Sequence, residues 1–313
     1  MEALKSILSA QYLFSIIRVT TPLLFASMAA VVIRRAGIIC IAFEGMMLFA
    51  AFGGVLGSAL TQSVLGGIAC GVLFGMLIAM VYAYFVLSLK ANTYLTGLAI
   101  NMLGSGGTVF LLYLSTGDKG VSTALNSLVV PSVKIPLVKD IPILGEVLSG
   151  HNALTYLAFL AVIAVYFLIN KTVLGLRIRS VGENASAAAS VGIKVVRTQF
   201  IAIVIGGLLA SFGGLYMSMG YLPFFTRDMI AGRGFIGIAA QNLGGAMPIP
   251  TMLAALAFGA AAITEYPAVA PASGRIYADD PICGYIDRAD AGWPPGCAEA
   301  AAWDKKKQGR NRS

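Results

Sequence analysis

The sequence predicts an all-α, polytopic transmembrane bundle, and two observations predict it. Hydrophobic residues make up 58% of the 313 positions and charged residues only 12%, with a mean hydropathy of +0.83. A soluble globular chain carries about 25% charged residues, so this composition cannot supply a water-facing surface. Apolar runs of about 20 residues, the length that crosses a hydrocarbon core, recur from residue 13 to residue 264.

Taken in order, the first span runs from Leu13 to Ile33 and carries Arg18 and Pro22. The second is Ile38 to Leu60, the third Leu65 to Leu87 and the fourth Leu95 to Leu114. A mixed segment from Ser115 to Asn152, containing Pro131, Pro136 and Pro142, separates these from a fifth span, Ala153 to Asn170. A polar loop, Lys171 to Gln199, precedes the sixth, Phe200 to Leu222. A short apolar piece follows, Gly234 to Leu243, broken at Gly244-Gly245-Ala246-Met247-Pro248, and an eighth begins at Thr251 and runs out near Thr264. Glycines 53, 54 and 57, and 206, 207, 213 and 214, stand at spacings that let helix backbones approach in lipid. Close packing is the expectation there, and a hinge in the 206–214 stretch is the alternative.

Loop charge sets the orientation. The Lys171 to Gln199 loop holds Lys171, Arg177, Arg179, Lys194 and Arg197 against the single acid Glu183, which places it in the cytoplasm. Counting back puts Lys90 and the Arg34-Arg35 pair on the same side and the N-terminus outside. The Ser115 to Asn152 segment then faces outward despite Lys119, Lys134 and Lys139. The formal net charge of +8 is therefore a matter of topology and lipid contact, not of nucleic acid. Met1 to Ser9 lacks the charged start and small-residue cleavage site of a signal peptide.

Several chemistries are excluded. A single histidine, His151, rules out multi-histidine metal sites and leaves no spare base for a triad. The chain has no Gly-Lys dipeptide and hence no Walker phosphate loop, so any ATP is bound by another chain. Cys40, Cys70, Cys283 and Cys297 form no close pair, and Cys40 and Cys70 read as buried small apolar residues. No catalytic residue, metal site or cofactor is expected, and the chain reads as a non-enzyme.

Charged and amide side chains inside apolar spans are costly and mark either a path or a structural pairing. Glu44 is the only acid in a predicted span. Its alternatives are a structural partner, either Arg18 or a helix N-terminus, a place on a translocation path, or a proton relay. Asn92 and Asn101 flank or enter the fourth span, and Gln241 and Asn242 end the short seventh piece. Glu44, Asn92 and Asn101 are the candidate path residues. In the polar loop, Asn184 is placed to cap a short Ala-rich helix reaching Ser190, flanked by Arg177, Arg179, Lys194 and Arg197. Such a helix suits docking into another protein's groove, or else lies on an anionic leaflet.

Four ordered stretches carry a resemblance. Arg35-Ala-Gly-Ile-Ile-Cys-Ile-Ala-Phe-Glu-Gly-Met-Met-Leu48 resembles the RAGxxNIGxEGxML stretch of inner-membrane permeases of ABC importers for simple sugars, nucleosides and branched-chain amino acids. Residues 91–103, ANTYLTGLAINML, are similar to that family's NEVIxxLMLN stretch. Residues 172–193 resemble its cytoplasmic loop, which carries the coupling helix, and Gly232 to Ala240 is a further match. The stretches VGENASAAASVGI and FTRDMIAGRGFI look most like the nucleoside type. Cys40 and Ala42 stand where the family has Asn and Gly, and Thr93-Tyr94 where it has Glu-Val. The resemblance implies a membrane-spanning subunit of an importer for nucleosides or related small polar solutes. It implies an ATPase subunit that contacts Arg177, Arg179, Gly182, Glu183, Asn184 and Gly192. A second permease subunit, as homodimer or heterodimer, and an extracytoplasmic substrate-binding lipoprotein complete the implied assembly in the cell membrane. An ion-gradient-driven secondary transporter is the alternative, but it would need more intramembrane charge than Glu44 and an inverted repeat.

The permease domain is expected over residues 1–264. Residues 265–313 differ in character: they hold seven of the 14 acids, five of the 12 prolines and both tryptophans, Trp293 and Trp303. Back-translated with permitted codons and read one base later, Glu265 to Ile282 gives NILQLRLPPEEFMQMIPY, an amphipathic connector. The continuation allows a final apolar span and a basic end, so this tail is expected to be an out-of-frame product that has replaced a ninth helix, with a soluble appendage or a disordered tail as the alternatives.

Overall fold

The computed structural model describes residues 10–118, 120–122, 127–131 and 150–264. The tail expected to be out of frame lies outside the described residues, and the fold below is that of the unit Met1–Ile263. Ten α-helices are described: α1 (Ala10–Arg35), α2 (Phe43–Thr61), α3 (Val64–Ala83), α4 (Thr93–Thr116), α5 (Ala153–Lys171), α6 (Val173–Glu183), α7 (Ala185–Ser190), α8 (Val195–Leu215), α9 (Arg233–Leu243) and α10 (Pro248–Thr264). Short π-helical turns, Tyr84–Ser88 and Tyr216–Tyr221, extend α3 and α8. Among the described residues six helices are long and apolar enough to cross a membrane, and α10 is a shorter apolar one.

The centre of the bundle is α1 and α2 packed on α8. Lipid tails are as apolar as leucine, so helices associate there by close packing of small residues. The glycines noted in the sequence do this. Gly214 lies against the Met47 backbone, Gly53 against Phe74, Gly206 against Ile33 and Gly207 against Ala79, where any added Cβ would collide. Pro22, inside α1, has no N–H for the Arg18 carbonyl one turn back. The Tyr216 hydroxyl donates to that carbonyl instead, at 3.1 Å, so the proline costs the bundle no orphaned acceptor.

Several boundaries differ from the sequence expectation, three of them for a clear physical reason. The second span was expected from Ile38, but α2 begins at Phe43. Gly37, at φ +81°, ends α1 in the left-handed conformation, and the chain is then non-helical up to α2. This apolar linker is buried in protein, and side chains satisfy its carbonyls: the Tyr82 hydroxyl donates to Ile39 at 3.2 Å and the Asn101 amide to Ile41 at 2.9 Å. The sixth span starts earlier, at Val195, because a helix can carry Arg197 and Gln199 beyond the apolar slab. The eighth starts at Pro248, a residue that fits the first helical turn.

Chain ends sort to two opposite ends of the bundle. At one end the Arg35–Gly37 turn meets Gly182, and Gln199 Nε2 donates to the Ala36 carbonyl at 3.2 Å. At the other, Leu128 N–H donates to Ser58 Oγ at 2.9 Å and Val130 N–H to the Met219 carbonyl at 2.9 Å. Arg34, Arg35 and the 171–199 loop thus share one end.

Candidate functional site

The first element is a polar junction at mid-height. A Cβ on Gly237 of α9 would meet Ala26 and Ser27 of α1, and Ala26 stands about 13 Å along α1 from Arg35 at 1.5 Å per residue. Helix α9 is only 11 residues long. It is a half-helix that starts inside the bundle and runs to the end that holds Arg35. Its first N–H groups have no partner within the helix. Glu44, 6% exposed, meets that need: Oε1 accepts from Gly232 N–H at 2.8 Å and Oε2 from Gly234 N–H at 2.9 Å. An anion at a helix N-terminus also meets the positive end of the dipole. Asn101, 8% exposed, is fully engaged: Oδ1 accepts from Gly45 N–H at 2.9 Å while Nδ2 donates to Ile41. Arg18 does not reach Glu44; its guanidinium lies over the Tyr221 ring, 4.3 Å from the centroid.

The structure brings Glu44 and Asn101 together and leaves Asn92 apart. Asn92 is exposed at the start of α4, where its Oδ1 accepts from Tyr94 N–H at 2.9 Å and Leu95 N–H at 3.3 Å. It is a helix cap that fixes the backbone of Tyr94.

The second element is the 171–199 loop. Asn184 caps α7, accepting from Ala187 N–H at 3.0 Å. Sequence reading missed α6, which Thr172 caps through Gly175 N–H at 3.0 Å. The spacing of its buried residues, Gly175, Ile178 and Val181, with Arg177 exposed between them was the available signal. Arg177, Glu183, Asn184 and Gly192 are exposed, and Arg179 is half-buried with no hydrogen-bond partner for its buried Nε among the described residues. Gly192, at φ +84°, turns the chain in open space. Leu176 and Val191 stand 63% and 76% exposed on this loop, beyond the membrane spans.

Gly182 plays a different part from the exposed loop residues. It packs backbone to backbone on the Arg35–Gly37 turn, where a Cβ would run into the Arg35 carbonyl and lie 3.0 Å from Gly37 N. From the same turn, Arg35 Nε donates to the Ala246 carbonyl at 2.8 Å, just past the end of α9. Ala246 has φ +54°, a left-handed conformation that costs a non-glycine residue energy. The half-helix is therefore held at both ends, by Glu44 at its start and by Arg35 just beyond its finish. The Arg35 and Gly37 contacts were not read as functional in the sequence, since their partners lie far along the chain.

Comparison with known proteins identifies this arrangement. The family model described as branched-chain amino acid transport system, permease component, matches residues 12–275. The chain belongs to this family. It is a family of transport permeases, not of enzymes, and the fold above is a permease fold. A putative glucose ABC transporter permease protein of Haloferax volcanii is 31% identical over 255 residues, covering 80% of this chain and 75% of that protein. The nucleoside ABC transporter permease protein NupC of Lactococcus lactis subsp. cremoris is 31% identical over 249 residues, 77% of each chain. The guanosine ABC transporter permease protein NupQ of Bacillus subtilis is 34% identical over 249 residues, 76% of each. A second permease protein of each of the last two organisms also matches this chain, over 111 and 103 residues. No solved structure matches it significantly.

Proposed function

We propose that this permease forms one half of the membrane path of an ATP-driven importer for nucleosides. ATPase subunits dock on the 171–199 loop from the cytoplasm, and a second permease closes the path. A substrate-binding lipoprotein delivers cargo at the opposite end. The observation that carries the reading is the exposed apolar surface of Leu176 and Val191 among the basic side chains of a loop that also grips the Arg35–Gly37 turn. Single exposed apolar residues need no explanation, but these lie on a capped helix and the turn beyond it, outside the spans. Nucleosides are favoured over sugars by the nucleoside and guanosine permeases among the relatives.

The mechanical route follows from the contacts. Displacement of α6 by the ATPase moves Gly182, which cannot slide past Gly37 without a backbone collision. The turn carries the movement through Arg35 to Ala246 and so to the foot of α9. Glu44 and Asn101 hold the other end of that half-helix against α2 and α4, and act on the path by setting where α9 stands. Arg177, Arg179, Glu183, Asn184 and Gly192 form the face offered to the ATPase.

The test is retention of the ATPase on the affinity-purified permease complex. Leu176→Glu with Val191→Glu is expected to lose it, because the acids desolvate at cost in the docking groove. Equal retention by this variant overturns the docking reading and favours a loop lying on the anionic leaflet.

A further inference from the structure

The end of α9 nearest the loop borders a cavity of about 150 Å³. It is lined by Ala30 and Arg34 of α1, Ile39 and Cys40 of the linker, Tyr94 of α4, and Gln241 with Asn242 of α9. Gln241 is 5% exposed, and its side-chain amide has no hydrogen-bond partner among the described residues. Its backbone is occupied, the carbonyl accepting from Ala246 N–H at 3.0 Å. The amide opens onto the cavity, where both its donor and its acceptor are available to whatever enters. Asn242 beside it is exposed.

The geometry points to a cargo subsite here, on the inward half of the path, where Gln241 reads the edge of a flat heteroaromatic ring. This rests on the importer reading above. An amide presents an N–H donor beside a carbonyl acceptor, which pairs with a ring edge carrying an acceptor beside a donor, as nucleobases do. Tyr94, Ile39 and Ala30 also line the cavity and offer apolar surface to such a ring. Asn92 fixes the backbone that carries Tyr94, which gives that cap a purpose at the site. A sugar has no such edge or flat face, so the subsite selects for the base and not the ribose. Because both ends of α9 are clamped, movement of its foot by Arg35 moves Gln241 as well, and release of cargo is tied to the loop.

The experiment compares uptake of labelled uridine and labelled glucose by the complete complex in proteoliposomes, with the amount of assembled complex measured in parallel. Gln241→Met keeps length and bulk and removes both polar atoms; Gln241→Glu keeps the acceptors and removes the donor. Uridine uptake is expected to fall roughly 3- to 10-fold in Gln241→Met, the factor that one or two neutral hydrogen bonds supply. Gln241→Glu is expected to fall between it and the wild type. The fall is expected in the KM for uridine, with the amount of assembled complex equal to that of the wild type in both. Uridine uptake unchanged in both variants overturns the subsite, as does wild-type uptake of glucose alone. Equal loss of uptake and of assembled complex in both variants also overturns it, since that is the mark of a structural residue. If the wild-type complex moves neither solute with ATP, the importer reading fails and the subsite fails with it.

Discussion

Removing the charge of Glu44 tests whether it is the cap of a half-helix. Glu44→Gln keeps one acceptor for Gly232 or Gly234 and turns a donor toward the other, so one buried N–H loses its partner. An unsatisfied buried donor costs about 1–3 kcal/mol, and loss of an anion from a partly buried helix N-terminus costs about 0.5–2 kcal/mol. The expected destabilisation is therefore about 1.5–5 kcal/mol, a large share of the about 5–15 kcal/mol that holds a typical protein folded. Glu44→Asp, one methylene shorter, keeps the charge but not the reach to both amides, and should lie between the two. The assay is reversible unfolding in mixed micelles, with the midpoint read from an α9 reporter and from the whole bundle. The cap reasoning predicts the order wild type, Glu44→Asp, Glu44→Gln, with the α9 reporter moving first. A Glu44→Gln variant as stable as the wild type but deficient in uptake would refute it and place the carboxylate on the cargo path.

Other expectations concern the same contacts. Gly182→Ala drives a Cβ into the Arg35 carbonyl, and should abolish uptake while the purified complex keeps its ATPase. Gly192→Ala meets open space at φ +84°, pays only about 1–2 kcal/mol of local strain, and should transport nearly as the wild type does. Asn101→Leu removes two hydrogen bonds that tie α4 to the start of α2; a loss of about 1–3 kcal/mol is expected in the same micelle assay. For the tail, a sequencing read across the gene should show a single-base insertion or deletion near codon 264. An intact frame there makes the tail genuine and removes the argument for a lost ninth helix.

Hydropathy made the long spans legible because lipid leaves a backbone few choices. It could not see where they stop being helical. Ile38 to Ala42 is as apolar as a helix interior, yet it is not helical, and only Tyr82 and Asn101, distant in sequence, make that tolerable. Asn184 was recognisable as a cap because its partner lies three residues away. Glu44 could be flagged as costly and a structural pairing was the leading reading, but its partners stand 188 and 190 residues along the chain, so a path role and a proton relay stayed open beside it. Arg35 read as a topology charge and as the start of the resembling stretch, not as a contact; its bond to Ala246 spans 211 residues. Gln241 was visible as an amide ending an apolar piece, without any sign that it would lack a partner.

The central claim is that this permease is moved by ATP hydrolysis in a partner chain. The direct measurement is uptake of labelled uridine into proteoliposomes holding the complete complex, with the lipoprotein outside and either ATP or a non-hydrolysable analogue inside. Accumulation with ATP, none with the analogue and no response to a collapsed proton gradient is the predicted result. Accumulation that follows an imposed ion gradient and is indifferent to ATP would contradict the account.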